Sequence, residues 1–414
     1  TMGGPFDAIT DTIFADKSVL TEDYQPDEIL ERDEEIEEYR NALKDVLFGR
    51  SPQNIFLYGK AGLGKTAVTN YMMDALTEEI QQRPEADALH VHEQNCNGKT
   101  VFMVVRALVN DLRAAKAESG SGSETSADVE TFPKRGLGTG DAFAALYEEL
   151  DATGGTHLIV FDEIDHLDDV DTLLYELPRA RSIGHITDSR VGVIGISNNY
   201  TFRQQLSAKV KDTLMETEIS FSPYSADELR SILEERAEKA LQDDGYDSSA
   251  IAMAAALAAR DMGNARQAID LLRVGAEVAE NQEEFRVTDD HIERARERVQ
   301  RGRLSNKIRD QTTHAQLVLE TLAHLEDDGE TPARAKEIYE LYQTVAESWA
   351  HDPLTTVRSV HSHLSDLQML GFLKRYERNE GLSGGQYYEF ELDDLDPELV
   401  FETREDIEDV ASNS

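Results

Sequence analysis

At 414 residues the chain exceeds one ordinary domain, and an apolar content of 40 % is enough for two or three real cores. Its single cysteine, Cys96, excludes an internal disulfide framework and a cysteine-built zinc site. The formal net charge of −41, from 82 acidic against 41 basic residues, lacks the basic footprint expected of a nucleic-acid binder, so either the protein does not touch nucleic acid or it is adapted to molar salt.

The acid is spread through every segment instead of forming one tail. That distribution fits a surface adapted to molar salt, where a Debye length of about 3 Å screens self-repulsion. No apolar run approaches bilayer length; the longest, Ala250–Ala259, is alanine-rich and reads as part of a buried helix. With no charged-then-apolar leader opening the chain, the expected setting is a reducing cytoplasm, without membrane contact.

Residues 1–30 read as an irregular lead-in, and Ile29–Phe48 then places Ile36, Tyr39, Leu43, Val46 and Leu47 at helical spacing. Asn54–Tyr58 is a short apolar strand running straight into glycines, Thr66–Gln82 a helix, and His90–Asn95 a second strand. Ala117–Thr131, rich in serine, glycine and glutamate, has the composition of a mobile insertion. Asp141–Leu150 reads as a helix, and Leu158–Phe161 and Val191–Ile196 as apolar strands of a parallel sheet. Strands alternating with helices predict an α/β base over residues 1–223.

From Ala226 to Gln300 only amphipathic helical patterning remains, giving an all-helical domain over 224–305. Near its end lies the one locally basic stretch: Arg294, Arg296, Arg298, Arg301, Arg303, Lys307 and Arg309. It is open to two readings, a solvated helix face or a DNA-facing linker. Over 306–400, three helical segments precede Phe372–Arg378 and Tyr387–Leu392, which flank a loop holding Gly381, Gly384 and Gly385. Two β-runs across such a loop predict a hairpin, and three helices followed by a hairpin is winged-helix order. The residues after Pro397, with 401–414 as an acidic tail, are expected to fray.

Gly59-Lys60-Ala61-Gly62-Leu63-Gly64-Lys65-Thr66 fits G-x-x-x-x-G-K-[ST] without mismatch and sits between a strand and a helix. Its glycines let successive N–H groups, from Gly59 through Ala67, point at phosphate oxygens, with the helix dipole behind them. Lys65 would reach the β- and γ-phosphates and the Thr66 hydroxyl would ligate Mg²⁺. The expected cofactors are therefore ATP or ADP with Mg²⁺. The strand Leu158–Phe161 ends in Asp162, which would hold Mg²⁺ through water, and Glu163, which would orient an attacking water. Val191–Ile196 ends in Ser197-Asn198-Asn199, where the Asn198 amide either holds the lytic water or simply turns the chain. Gly263-Asn264-Ala265-Arg266 opens a helix over Gln267–Val274, from which Arg266 either reaches the nucleotide or is a surface arginine.

Together these residues resemble an AAA+ ATPase, and more narrowly the archaeal origin-recognition/cell-division-control initiators. The resemblance spans nearly the whole chain. It is carried by Asp23-Tyr24-Gln25-Pro26 with Arg32, by Asn54-Ile55-Phe56-Leu57-Tyr58-Gly59-Lys60, by Arg135-Gly136-Leu137 and by Phe161-Asp162-Glu163-Ile164-Asp165. Ile194-Gly195-Ile196-Ser197-Asn198 is similar to the family's sensor 1, Gly263 to Ala268 resembles sensor 2, and Asp366 to Phe372 matches the end of its recognition helix.

The resemblance implies a halophilic, nucleoid-associated protein that holds ATP or ADP tightly and binds double-stranded origin DNA. Such a protein helps recruit or load the replicative helicase, alongside paralogous initiators. One departure stands out. Lys209, in Leu206-Ser207-Ala208-Lys209-Val210-Lys211, replaces an arginine of the family's pattern, and lysine lacks the planar fork that suits a transferring phosphoryl group. Weak ATP hydrolysis is expected.

A winged helix reads DNA with its third helix. Here Val357, Val360, Leu364, Leu367 and Leu370 form the expected buried stripe, leaving Thr355, Thr356, Arg358, Ser359, Ser362 and His363 outward. The wing adds Lys374, Arg375, Arg378 and Gln386. A winged helix serving protein contact is the bland alternative. The competing functional reading is a nucleotide-bound DNA-binding regulator of transcription or replication timing. A clamp loader is opposed by the hairpin, since such proteins end in a helical collar.

Overall fold

The computed structural model describes residues 12–21, 23–83, 86–119, 131–379 and 386–412, and divides into two compact units between Ile292 and Glu293. In the first unit, a parallel sheet runs in the order β2-β3-β4-β1-β5. The strands are β1 (Ile55–Tyr58), β2 (Leu89–Asn95), β3 (Gly155–Asp162), β4 (Ser189–Ser197) and β5 (Thr217–Ser220). Strands β1, β3 and β4 are buried along most of their length, as central parallel strands covered by helices must be. The covering helices are α1 (Asp33–Leu43), α2 (Lys65–Gln81), α3 (Val101–Ser119), α4 (Thr139–Thr153), α5 (Val170–Glu176), α6 (Phe202–Gln205) and α7 (Ala208–Leu214). Gly195 is required where β4 passes β1, because a Cβ there would fall 2.5 Å from the Phe56 ring.

The helical part of this unit follows as α8 (Ala226–Ala240), α9 (Ser248–Asp261), α10 (Ala265–Asn281) and the start of α11 (Asp289–Arg309). A capping box opens α8: the Ser225 hydroxyl accepts from Glu228 N while the Glu228 carboxylate accepts from Ser225 N. Helix α9 buries Ala250, Ile251, Ala254, Ala255 and Ala258, the spacing that its alanine run predicts. Part of the lead-in has a fixed place. Ala15 N donates to Ala240 O and Gln242 N to Ile13 O, both at the end of α8.

The second unit contains α12 (Thr313–Asp327), β6 (Ala333–Arg334), α13 (Ala335–Ser348), α14 (Val357–Met369), β7 (Leu373–Asn379), β8 (Gln386–Leu392) and α15 (Pro397–Ser412). β7 and β8 pair antiparallel from Leu373↔Leu392 to Asn379↔Gln386, the predicted hairpin. Its glycines Gly381, Gly384 and Gly385, and residues 120–130 of the expected insertion, lie outside the described residues.

The expected frayed tail is instead the helix α15. Leu399 and Val400 join the apolar core, and Arg404 is fully buried. The Arg404 guanidinium donates to Glu320 Oε2 (3.1 Å), Gln316 Oε1 (2.9 Å) and Glu408 Oε1 (2.6 Å). Trp349 Nε1 donates to the same Glu320 carboxylate at 2.7 Å. A buried cation with this many acceptors fixes the helix that carries it.

Candidate nucleotide and DNA sites

The phosphate loop leaves β1 at Tyr58 and enters α2 at Lys65. Gly62 and Gly64 adopt φ of +78° and +87°, the left-handed region that favours glycine. Lys65 is 4 % exposed and donates to Gly59 O (2.7 Å), Lys60 O (2.8 Å) and Asn198 Oδ1 (2.9 Å). Three acceptors use all three protons of an ammonium. Burial pushes the Lys65 pKa down to about 8, a shift opposed by the Asp162 and Asp165 carboxylates and reinforced by Arg266 and Arg32.

Strand register brings the other predicted residues to this loop. Tyr58 pairs with Ser197, so Asn198 emerges beside the loop's first glycine, whose N–H donates to Ser197 O. Strand β3 lies next to β4 and ends in Asp162. The Asp162 carboxylate accepts from Thr66 Oγ1 through Oδ2 and from Glu163 N through Oδ1, both at 2.8 Å. Glu163 sits at φ +53°, a conformation rare for residues with a side chain and frequent at functional sites. Asp165, not singled out as a site residue from the sequence, accepts from Asn198 N at 3.3 Å and so links the ends of β3 and β4.

From the helical side, Asn264 caps α10 by accepting from Gln267 N, and its amide donates to Ala61 O at 3.1 Å. Arg266 lies exposed in the first turn of α10, close enough to lower the Lys65 pKa. Lys209 is exposed on α7, with its ammonium 3.4 Å from the centroid of the Tyr175 ring.

In the second unit Thr355, Arg358 and Ser362 are exposed, as predicted, and Ser359 is half-buried. Three expectations change. Thr356 is the N-cap of α14, its hydroxyl accepting from Ser359 N at 3.1 Å, so its oxygen serves the helix. His363 is half-buried against the His314 ring, 6.3 Å between centroids. The buried stripe comprises Val360, Leu364 and Leu367, while Val357 and Leu370 are 37 % and 44 % exposed because they stand at the two ends of the helix.

The cations of the wing and the basic stretch largely have acidic neighbours. Arg378 pairs with Glu389 (2.9 Å) and Lys374 with Asp393 (3.0 Å), while Arg375 lies over the Tyr388 ring at 4.6 Å. Arg301 pairs with Asp396 and Glu402, and Arg309 with Asp406. At those two positions the basic stretch is bound to the acids of the C-terminal segment, which argues against an open DNA-facing linker there. Arg358 differs: among the described residues no carboxylate is paired with it.

Loop, strand ends, helical lid and winged helix define the class: an AAA+ P-loop ATPase architecture extended by a C-terminal winged helix. Family models match in the same order, an AAA ATPase domain over 28–187, the Cdc6 AAA+ ATPase-type lid domain over 230–297 and the CDC6 C-terminal winged helix domain over 306–403. ORC1-type DNA replication protein 8 of Halobacterium salinarum is 51 % identical over 398 residues, 96 % of this chain and 97 % of that protein. ORC1-type DNA replication protein 15 of Haloarcula marismortui is 47 % identical over 382 residues, 92 % of this chain and 90 % of that protein. The solved structure of the Aeropyrum pernix ORC1 protein in complex with DNA matches with a TM-score of 0.78 at 33 % identity, over 98 % of this chain and all of that one. The chain belongs to the ORC1-type (Orc1/Cdc6) family of DNA replication initiators.

Proposed function

We propose that this protein is a nucleotide-switched binder of origin DNA that helps recruit or load the replicative helicase. The observation that carries the switch is the cluster Lys65, Thr66, Asp162 and Asn198, joined by hydrogen bonds of 2.8 to 2.9 Å. Residues Gly59 to Ala67 would cradle the phosphates of ATP or ADP, with Lys65 exchanging carbonyl oxygens for phosphate oxygens. Thr66 and Asp162, already in contact, are the hard oxygen donors that suit Mg²⁺, which when bound would neutralise phosphate charge. Glu163 would hold the attacking water, Asn198 would sense the γ-phosphate through Lys65, and Arg266 would meet the phosphates from the lid.

For DNA, the proposal rests on exposed Arg358, Thr355 and Ser362 on α14 as the base-edge readers, with Ser359 beside them and Arg375 from the wing. Thr356, His363 and Arg378 are given supporting parts, because each is engaged within the protein. The Aeropyrum pernix ORC1 protein was likewise solved in complex with DNA. Halobacterium salinarum carries more than one ORC1-type protein, which makes paralogous initiators natural partners. This work belongs in the cytoplasm, at the nucleoid.

One observation favours a second reading, a DNA-bound regulator with little ATPase activity: Lys209 rests on Tyr175 instead of offering a guanidinium fork. DNA-dependent transfer of purified helicase onto origin duplex separates the two. Transfer that requires ATP supports the initiator, and selective DNA binding with no transfer supports the regulator.

A further inference from the structure

Five consecutive carbonyls of the phosphate loop each accept a hydrogen bond. Gly59 O and Lys60 O accept from Lys65 within the loop. The next three are held from outside it. Ala61 O accepts from Asn264 Nδ2 at 3.1 Å, Gly62 O from the backbone N–H of Ala265 at 3.0 Å, and Leu63 O from Arg32 Nε and Nη2 at 3.2 and 3.1 Å.

The donors come from two distant places, the start of lid helix α10 and the residue before α1. Arg32 is 3 % exposed, also donates to Ser222 O at 2.8 Å, and lies 3.6 Å from the centroid of Tyr224. Ser222 and Tyr224 belong to the segment that leads from β5 into lid helix α8. Tyr224 closes the circuit: its N–H donates to Gly263 O at 2.9 Å, and its hydroxyl stands 2.8 Å from where a Cβ on Gly64 would be.

A peptide unit is planar, so a carbonyl tied outward fixes the N–H of the next residue on the opposite side. Tying Ala61, Gly62 and Leu63 outward therefore sets the direction of the N–H groups of Gly62, Leu63 and Gly64, the groups that a phosphate-binding loop offers to its anion. The same rigidity acts in reverse. An anion that aligns those N–H groups tightens the carbonyls against the lid and Arg32, and coupling of this kind is reciprocal. We propose that Arg32 and Asn264 are positioning residues that couple the carbonyl edge of the phosphate loop to the lid hinge, so that nucleotide affinity and lid position change together. This rests on the nucleotide reading of the loop.

Asn264→Ser isolates the effect, because serine still caps α10 but is too short to reach Ala61 O. Arg32→Lys keeps the charge and removes the fork. In the full-length protein in molar potassium chloride, three quantities decide: the release rate of fluorescent ADP, the melting temperature without nucleotide, and hydrogen exchange of the Ala265 amide with and without ADP.

The proposal predicts that Asn264→Ser keeps its melting temperature yet releases ADP about tenfold faster, the scale of one lost hydrogen bond. It also predicts that ADP no longer slows exchange at Ala265, and that Arg32→Lys releases ADP faster still. Wild-type release and wild-type protection of Ala265 in both variants overturn the coupling, as does a fall in melting temperature with unchanged release. Failure of the wild-type protein to bind ADP overturns the loop reading and the coupling with it, a result distinct from normal binding with unaltered variants.

Discussion

At the phosphate loop Lys65 and Arg32 are buried and held mainly by neutral carbonyls, whereas on the winged helix most cations lie at the surface and are held by carboxylates. Lys65 and Arg32 share five backbone carbonyl bonds among them, to Gly59, Lys60, Leu63 and Ser222. Lys374, Arg378, Arg301 and Arg309 instead face aspartate or glutamate. A phosphate entering the loop meets Lys65, whose hydrogen-bond partners are dipoles, while Arg32 behind it also pairs with Glu35 at 3.0 Å. A phosphate approaching the wing must displace a carboxylate, which then needs a cation from solution. A chain of charge −41 can thus keep cations for an anion by burying them. On the open face of α14 it leaves only a few cations, Arg358 foremost, available to an anion without exchange.

The exception on the winged helix is its buried ion pair, Arg404 with Glu320. Arg404→Ala leaves Glu320 buried without its cation and should cost about 3–5 kcal/mol of winged-helix stability. Calorimetry should show one transition moved to lower temperature while ADP affinity is unchanged. Next, Lys65→Ala should weaken nucleotide binding by about 10- to 150-fold, since a charge-assisted bond contributes about 1.5–3 kcal/mol. Nucleotide retained by that variant, measured after denaturing release, would break the assignment of the loop.

A gentler probe of the same cation is pH. The folded pKa of Lys65, about 8, lies below its ordinary 10.5, so between these values the unfolded chain binds more protons and stability rises with pH. Nucleotide binding runs the other way, because phosphate favours the ammonium form. Affinity should fall as pH rises through 8, with proton uptake visible at pH 9 as a dependence of calorimetric heat on buffer ionisation enthalpy. The smallest effect is Thr356→Ala, a lost cap worth about 1 kcal/mol of helix stability that should leave sequence selectivity intact.

The parts of the site that were legible in the sequence are those whose geometry is local. Gly59 to Thr66 form one loop, and Asp162 and Asn198 stand at the ends of apolar runs short enough to be parallel-sheet strands. Asn264 and Arg32 were visible as motif residues, but not as donors, because their bonds to Ala61 and Leu63 span 203 and 31 residues. Strand β5 escaped notice because four residues with one buried side chain give no period. Helix α3 went unread because its first half is a nearly continuous apolar run. In α15 the acidic composition masked Leu399, Val400, Thr403 and Arg404, whose spacing is helical and whose side chains face inward. Periodicity also puts Val357 and Leu370 in the buried stripe, because it cannot say where the helix stops being covered.

If the proposed DNA selectivity rests on few cations, it should survive high salt. It is tested by binding of the wild-type protein and Arg358→Ala to candidate origin repeats and to scrambled duplex, from moderate to molar potassium chloride. Counterion release lowers log affinity by about 0.9 per phosphate contact for each tenfold rise in salt, so a protein relying on a basic patch would lose binding across this range. The account predicts selective wild-type binding with a shallow salt slope, and loss of about 1–3 kcal/mol of selectivity in Arg358→Ala, the scale of one arginine–guanine contact. Collapse of wild-type binding in molar salt, or undiminished selectivity in the variant, would contradict it.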